Sequence, residues 1–203
     1  MRTRAPGCWL LLGLIAAGIA PLPAGAQPAG APVYQQQSEN YTAAEIVSAG
    51  HKLFGQASGE LAALVERAVS KFGLPNGYII GEEASGAVFG GLRYGEGTLY
   101  TKMDPERHVF WQGPSVGWDL GGDGNRTMML VYDLPTADSL FRRYGGVAGS
   151  AYLVGGLGMT VLANTTSGEQ PIYLVPIRTG VGARLGINIG YLKFTPQATW
   201  NPF

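Results

Sequence analysis

The stretch ELAALVERAVSKFGLPNGYII, residues 60–80, decides the fold because the spacing of its apolar residues changes halfway along it. In the first half, the apolar residues recur at the spacing of one helix face. They are Leu61, Leu64, Val65, Ala68, Val69 and Phe72. Gly73 is a typical helix end, and after Gly77 the apolar residues take up the period of two that strands have. We therefore expect a helix at about residues 59–72, packed by one face on a domain of strands.

Another helix is predicted upstream, at about residues 43–57. Thr42 and Glu45 stand at the two positions of a capping box, in which each side chain bonds a backbone amide of the other residue. Apolar residues follow at helical spacing, ending with Leu53 and Phe54. Residues 27–40, QPAGAPVYQQQSEN, are polar and contain proline, a composition that predicts a flexible lead-in.

Downstream of Gly77, short apolar runs recur, each bounded by Gly, Asp or Asn. The runs are 78–80, 87–94, 98–102, 109–112, 127–132, 151–154, 159–163, 172–177 and 181–194. A single helix, at about 136–144, interrupts them, so the pattern excludes repeated strand–helix–strand units. It predicts a mainly β (α+β) domain over 41–203: a small antiparallel β-barrel with the N-terminal helices packed outside.

The run VGARLGINIGY, residues 181–191, illustrates why a closed barrel is favoured. Apolar residues occupy every odd position, and three of the five even positions are glycine. Glycine on alternate positions lets a strand coil tightly, and the chain of 203 residues contains 32 of them. The alternation changes phase after Tyr191, where Leu192 and Phe194 flank Lys193, and we interpret this as a β-bulge.

Residues 1–26 have the pattern of a secretory signal peptide. Arg2 and Arg4 precede the apolar run 8–20, and the small residues 24–26 form a cleavage site between Ala26 and Gln27. The exported chain is therefore expected to be a soluble periplasmic protein without a membrane-spanning helix. Cys8, the one cysteine, would leave with the signal, which excludes disulfides and thiol catalysis in the mature chain.

Charge and motif content exclude several function classes. The whole chain has 14 basic and 14 acidic residues, so losing two arginines leaves a slightly acidic protein without a footprint for nucleic acid. No phosphate-binding loop is present, and His51 and His108 are isolated rather than spaced as metal ligands. We expect no cofactor and no metal.

The sequence GPSVG, residues 113–117, imitates the nucleophile elbow of serine hydrolases. In an elbow the serine leads into a helix, and the acid and the histidine follow it along the chain. After Ser115 comes VGWDLGGDGN, which is not helical, and both histidines precede it. We expect a loop between strands and no enzyme activity.

The sequence WDLGGDGNR, residues 118–126, imitates a calcium site. As an EF-hand loop beginning at Asp119 it has Asp123 at a ligand position, but Gly121 and Leu130 stand where further ligands are needed. As a calcium-binding nonapeptide, it has Arg126 in place of an aspartate. A hairpin turn is the better interpretation.

Four aromatic residues, Tyr94, Tyr100, Trp111 and Trp118, are candidates for lining a ligand groove. Aromatic residues of small barrels also serve as core or rim, and this alternative stays open.

A small outer-membrane barrel is a further alternative, because the chain is rich in glycine and aromatics and ends in Phe203. Spanning strands need about ten alternating residues, which only the run 181–194 provides.

Four long stretches resemble the alphaproteobacterial envelope integrity protein A family. They are PNGYIIGEEASGAVFGGLRYGEGTLYTK (75–102), WQGPSVGWDLGGDGNRTMMLVYDLP (111–135), RYGGVAGSAYLVGGLGMTV (143–161) and VPIRTGVGARLGINIGYLKFTPQATWNPF (175–203). The resemblance implies a periplasmic β-barrel that supports cell-envelope integrity, and it supplies no catalytic motif. The expected partners are envelope proteins, cell-wall polymer or lipid. A carrier or sensor of lipid or glycan is the alternative function.

Overall fold

The computed structural model describes residues 38–55, 58–86, 91–115, 125–147, 150–164, 170–179 and 191–199. Several predicted features lie outside these ranges: the signal peptide with its cleavage site at Ala26 and Gln27, most of the lead-in, and Trp118. The aspartates at 119 and 123 and the alternating run 181–190 lie outside them as well.

Within the ranges just given, two helices precede ten strands. The helices are α1 (Ala43–Phe54) and α2 (Ser58–Phe72). The strands are β1 (Gly77–Gly86), β2 (Gly91–Thr101), β3 (Arg107–Ser115), β4 (Asn125–Tyr132), β5 (Arg143–Gly146), β6 (Tyr152–Val154), β7 (Leu157–Met159), β8 (Leu162–Ala163), β9 (Tyr173–Thr179) and β10 (Tyr191–Thr195). The capping box of α1 is present: the Glu45 amide donates to Thr42 Oγ1, and the Thr42 amide donates to the Glu45 carboxylate.

The strands form the closed antiparallel barrel that the sequence predicts. Its order is β4-β1-β2-β3-β10-β5-β8-β9, and β9 pairs with β4 to close the ring. Strand β7 pairs with the same edge of β9 as β8 does, and β6 forms a hairpin with β7. Closure removes the free edges of the ring strands, which would otherwise invite pairing with other chains, whereas β6 is an edge strand of the sheet.

Two apolar cores lie on the two sides of the barrel wall. Strand β4 separates them: Met129 and Val131 face the barrel interior, whereas Met128 and Leu130 face outward beneath the helices. The helix stripe predicted from the sequence fills the outer core, because Leu61, Leu64, Val65 and Ala68 are buried there. Both helices therefore dock on the outside of the barrel, as expected for amphipathic segments.

The helix predicted at 136–144 is wrong in its second half. A 3₁₀ helix spans Ala137–Leu140, and Arg143–Gly146 is strand β5, which joins β10 to β8. Tyr144 is fully buried in the interior core. The need to close the barrel and to bury this ring overrides the local helical pattern.

The separate strands predicted at 87–94 and 98–102 are wrong as well, because residues 91–101 form one strand, β2. Its glycines are packing positions rather than breaks. A methyl group at Gly95 would overlap the Trp111 ring, and one at Gly97 would meet the β1 backbone. Within β10, Leu192 and Phe194 are buried in alternation, and the bulge predicted beside them falls at the border of the described residues.

Candidate binding site inside the barrel

The interior of the barrel has an apolar end and a charged end. At the apolar end, Ile79, Leu99 and Met129 are buried, and the segment 134–140 closes the barrel over them. From there, the inward-facing residues of β1 and β2 lead toward the charged end. On β1 the series is Ile79, Gly81, Glu83, and on β2 it is Leu99, Gly97, Gly95, Arg93.

Strand β9 adds a second arginine to that end. Its inward positions run from Leu174 through Pro176 to Arg178, which pairs in register with Thr127 of β4. We name Glu83, Arg93 and Arg178 the charged cluster. The period of two turns each of these side chains inward, since Glu82 next to Glu83 is exposed, and the pairing of the strands brings the three together.

Glu83 is the shared acceptor of the charged cluster. Its Oε2 accepts a hydrogen bond from Trp111 Nε1 at 2.8 Å and lies 3.2 Å from Arg178 Nη2. Its Oε1 lies 3.9 Å from Arg93 Nη1. Arg93 Nε donates to the carbonyl oxygen of Pro114 at 3.2 Å. One carboxylate thus serves two guanidinium groups and an indole.

Trp111 forms the boundary between the two ends. Its ring is fully buried, lies against Gly95, and packs on Phe194 at a centroid distance of 5.8 Å. Its polar edge points to the charged end, through the bond to Glu83. A buried tryptophan needs a partner for its N–H, and here the partner is a carboxylate that it helps to orient.

The charged cluster carries an excess of positive charge away from bulk water. The side chains of Arg93 and Arg178 are 7% and 15% exposed, and that of Glu83 is 6% exposed. Burial, and secondly the neighbouring charge of Arg178, lower the pKa of Arg93 to about 10, against the opposing effect of Glu83. Arg93 still carries its proton at neutral pH, so the three side chains of the charged cluster carry two positive charges and one negative charge. Buried charge in such excess is costly unless something compensates it.

The aromatic residues proposed from the sequence do not share one face of the barrel. Tyr94 and Tyr100 lie on the outer face of β2, where Tyr100 stacks on Tyr78 at a centroid distance of 4.9 Å. Trp111 lies on the inner face, opposite Gly95. Trp118 lies outside the described residues. Of the four, the structure places Trp111 in contact with buried charge.

The residues that imitate a serine hydrolase are also separated. Ser115 is the last residue of β3, paired with Gly91. His108 is exposed on the same strand, with its Nε2 atom 3.7 Å from Glu96. Seven residues of strand place it about 23 Å from Ser115. His51 is exposed in the last turn of α1.

The described ranges contain neither a metal-ligand cluster nor a membrane-spanning helix. Within them, no three His, Cys, Asp or Glu side chains are grouped so that they could hold a metal ion. Neither described helix is long and apolar enough to cross a membrane.

Comparison with known proteins identifies the family of the chain. The sequence profile of the envelope integrity protein A family matches residues 39–203. The chain belongs to the envelope integrity protein A family. No curated protein matches it. Among solved structures, it is similar to the crystal structure of a beta-barrel-like, uncharacterized protein from Brucella abortus. The two are 59% identical with a TM-score of 0.72, over 82% of this chain and all of the other.

In this member of the envelope integrity protein A family, sequence reasoning missed the charged cluster. A signal was present: Glu83, Arg93 and Arg178 each interrupt the inward-facing set of an otherwise apolar or glycine-rich strand. A charge at a position reserved for the core is uncommon and informative. What the sequence could not supply was the pairing of three distant strands that brings the charges together.

Proposed function

We propose that the chain is a non-enzymatic periplasmic protein that supports cell-envelope integrity by contacting envelope components. The observation that carries this proposal is the family match over residues 39–203. The separation of His108 from Ser115 along β3 supports a role without serine-hydrolase chemistry. Envelope proteins and cell-wall polymer are the partners we infer.

Two features favour a soluble protein over a small outer-membrane barrel. The barrel interior is apolar over one end, whereas outer-membrane barrels have a polar interior and an apolar outer band. The outer face here carries exposed charges, such as Glu82, Glu96 and Arg126, and helices pack over β4 and β9.

The experiment is deletion of the gene followed by complementation. We expect deletion to sensitise cells to detergents and wall-targeting antibiotics, and the wild-type gene to restore resistance. Ser115→Ala and Asp123→Asn should restore it fully when folded, because neither residue is assigned chemistry. A folded variant that fails to restore resistance would contradict the non-enzymatic interpretation. Crosslinking in cells should capture envelope components.

A second candidate function, a carrier or sensor, is favoured by one specific observation. The charged cluster buries two arginines and one glutamate inside the barrel, where a bound ligand could compensate the excess charge. Native mass spectrometry of protein purified from its own periplasm tests this role. A bound mass supports the carrier, and a bare chain with crosslinked partners supports the contact role.

A further inference from the structure

The charged end of the barrel interior contains more hydrogen-bond donors than the described residues satisfy. Each guanidinium has five N–H groups in a planar fork. Arg178 Nε is buried and has no hydrogen-bond partner among the described residues. Arg93 Nε uses the Pro114 carbonyl, and Glu83 is shared with Trp111. A buried charged donor left unsatisfied is costly, which is why such a group points to a missing acceptor.

We propose that the charged cluster is a binding site for one oxyanion group, a carboxylate or a phosphate, held by Arg93 and Arg178. The site deepens the carrier or sensor role and rests on it. An oxyanion supplies a second negative charge beside the two arginines of the cluster, and one of its oxygens accepts from Arg178 Nε, which has no partner among the described residues. Guanidinium groups match carboxylate and phosphate geometry with two parallel hydrogen bonds.

The same arrangement disfavours other ligand classes. A metal cation would be repelled by two arginines that outnumber the one carboxylate. An acyl chain or a neutral sugar would leave the positive charge uncompensated in a water-poor interior. The ligand therefore carries a negative group, and that group is the part that enters the barrel.

The variant Glu83→Gln distinguishes an anion site from a purely structural role of the charged cluster, because the two roles predict different effects of this substitution. In a structural network Glu83 is the counter-charge that holds both arginines, so its neutralisation weakens the barrel and creates no ligand affinity. In an anion site Glu83 competes with the ligand, so its neutralisation tightens anion binding. Glutamine keeps the size of the side chain and can still accept from Trp111.

The experiment uses the indole N–H signal of Trp111 in nitrogen-15 NMR of the exported chain, because that N–H donates to Glu83. Trp111→Phe assigns the signal. Inorganic phosphate and acetate are titrated separately, with chloride added to keep the ionic strength constant. We expect a saturable shift of this signal, and the anion that saturates at lower concentration identifies phosphate or carboxylate as the native group. No saturable shift with either anion at millimolar concentration overturns the proposal.

Three variants complete the test. Arg178→Met should abolish the saturable shift, whereas Arg143→Met, which removes an equal charge from an exposed position, should keep it. Glu83→Gln should tighten binding by about tenfold or more, because one repulsive charge near the anion is gone. Unchanged or weaker binding in folded Glu83→Gln contradicts the site.

A second variant keeps the test decisive if Arg178→Met does not fold. If circular dichroism shows Arg178→Met unfolded, Arg178→Lys keeps the charge, loses the Nε donor and should weaken binding. If this lysine variant binds as the wild type does, the proposal is overturned. Failure of these titrations, with resistance restored in cells by the wild-type gene, removes the anion site and leaves the envelope role standing.

Discussion

The two ends of the barrel interior are built from the same strands and do opposite things. At the apolar end, Leu99 and Met129 pack in full burial under a closing segment, an arrangement that stabilises the fold. At the other end the same inward positions carry Glu83, Arg93 and Arg178. Buried charges contribute little net stability, which is consistent with the anion site that we propose there. One end of the barrel interior therefore stabilises the fold, and the other carries the charges of the anion site that we propose.

The largest expected effect comes from moving a charge to the apolar end. Leu99→Glu puts a buried carboxylate on β2 at the apolar end. Unlike Glu83 on the neighbouring strand β1, this carboxylate has no buried arginine beside it. An unpaired buried carboxylate should lower the free energy of unfolding by about 4 kcal/mol or more. Chemical denaturation measures it. Leu92→Glu is the matched control, since Leu92 is 47% exposed on the same strand and should change stability little. Equal stability of the two variants would mean that the interior end is not apolar in solution.

A smaller loss of stability is expected at Trp111, on the boundary between the two ends of the barrel interior. Trp111→Phe removes the N–H that donates to Glu83 and should cost roughly 2 kcal/mol, since a buried carboxylate loses a donor. The same substitution in a Glu83→Gln background should cost less. A double-mutant cycle measures the coupling, and a coupling of zero would show that the indole bond does not form.

A still smaller effect is expected at the charged end. Arg178→Met should change the free energy of unfolding by at most about 1 kcal/mol, because lost pairing is offset by relief of burial and of repulsion with Arg93. Removing both arginines should cost several times more, because Glu83 is then buried without a cation. If the single substitution destabilises as strongly as the double, the cluster is a stabilising network.

The smallest effect on stability is expected at Glu45, a carboxylate on the surface rather than in the barrel interior. Hydrogen bonds from Thr42, backbone first, and then from Lys102 lower the pKa of Glu45. A carboxylate whose pKa is lowered by folding stabilises the protein above its unfolded pKa and loses that contribution as the pH falls through the folded one. Glu45→Gln should therefore cost less than about 1 kcal/mol at neutral pH.

Thermal unfolding of wild type and Glu45→Gln across the acid range measures this contribution. The difference between the two proteins should shrink as the pH falls below the ordinary carboxyl range. A difference that grows on acidification would contradict the assigned direction.

Local sequence patterns predicted those elements whose structure depends on residues close together along the chain. The helical stripe ending at Phe72, the capping box at Thr42 and the change of period after Gly77 depend on spacing alone. Barrel closure followed from many short strands without intervening helices. Strand β5 escaped prediction because Arg143–Gly146 pairs with β8 and β10, and no local signal specifies such distant pairing.

The candidate site escaped for the same reason. The pattern of apolar runs predicts a break between strands at Gly95, but Gly95 is the position that admits the Trp111 ring. Glu83 is buried and its neighbour Glu82 is exposed, as the period of a strand requires, yet the partners of Glu83 at 93 and 178 lie on other strands. Sequence alternation assigns a side chain to a face, and register between strands decides which charges meet on it.

Complementation with interior and exterior arginine variants tests most directly whether the charged end of the barrel is the functional end. The deletion strain receives either Arg178→Met or the exposed control Arg143→Met, with folding and export of each checked in periplasmic extracts. Survival in detergent is the readout. The account predicts that Arg143→Met restores resistance and that folded Arg178→Met does not. Full resistance with Arg178→Met would show that the charged end is not needed for envelope integrity.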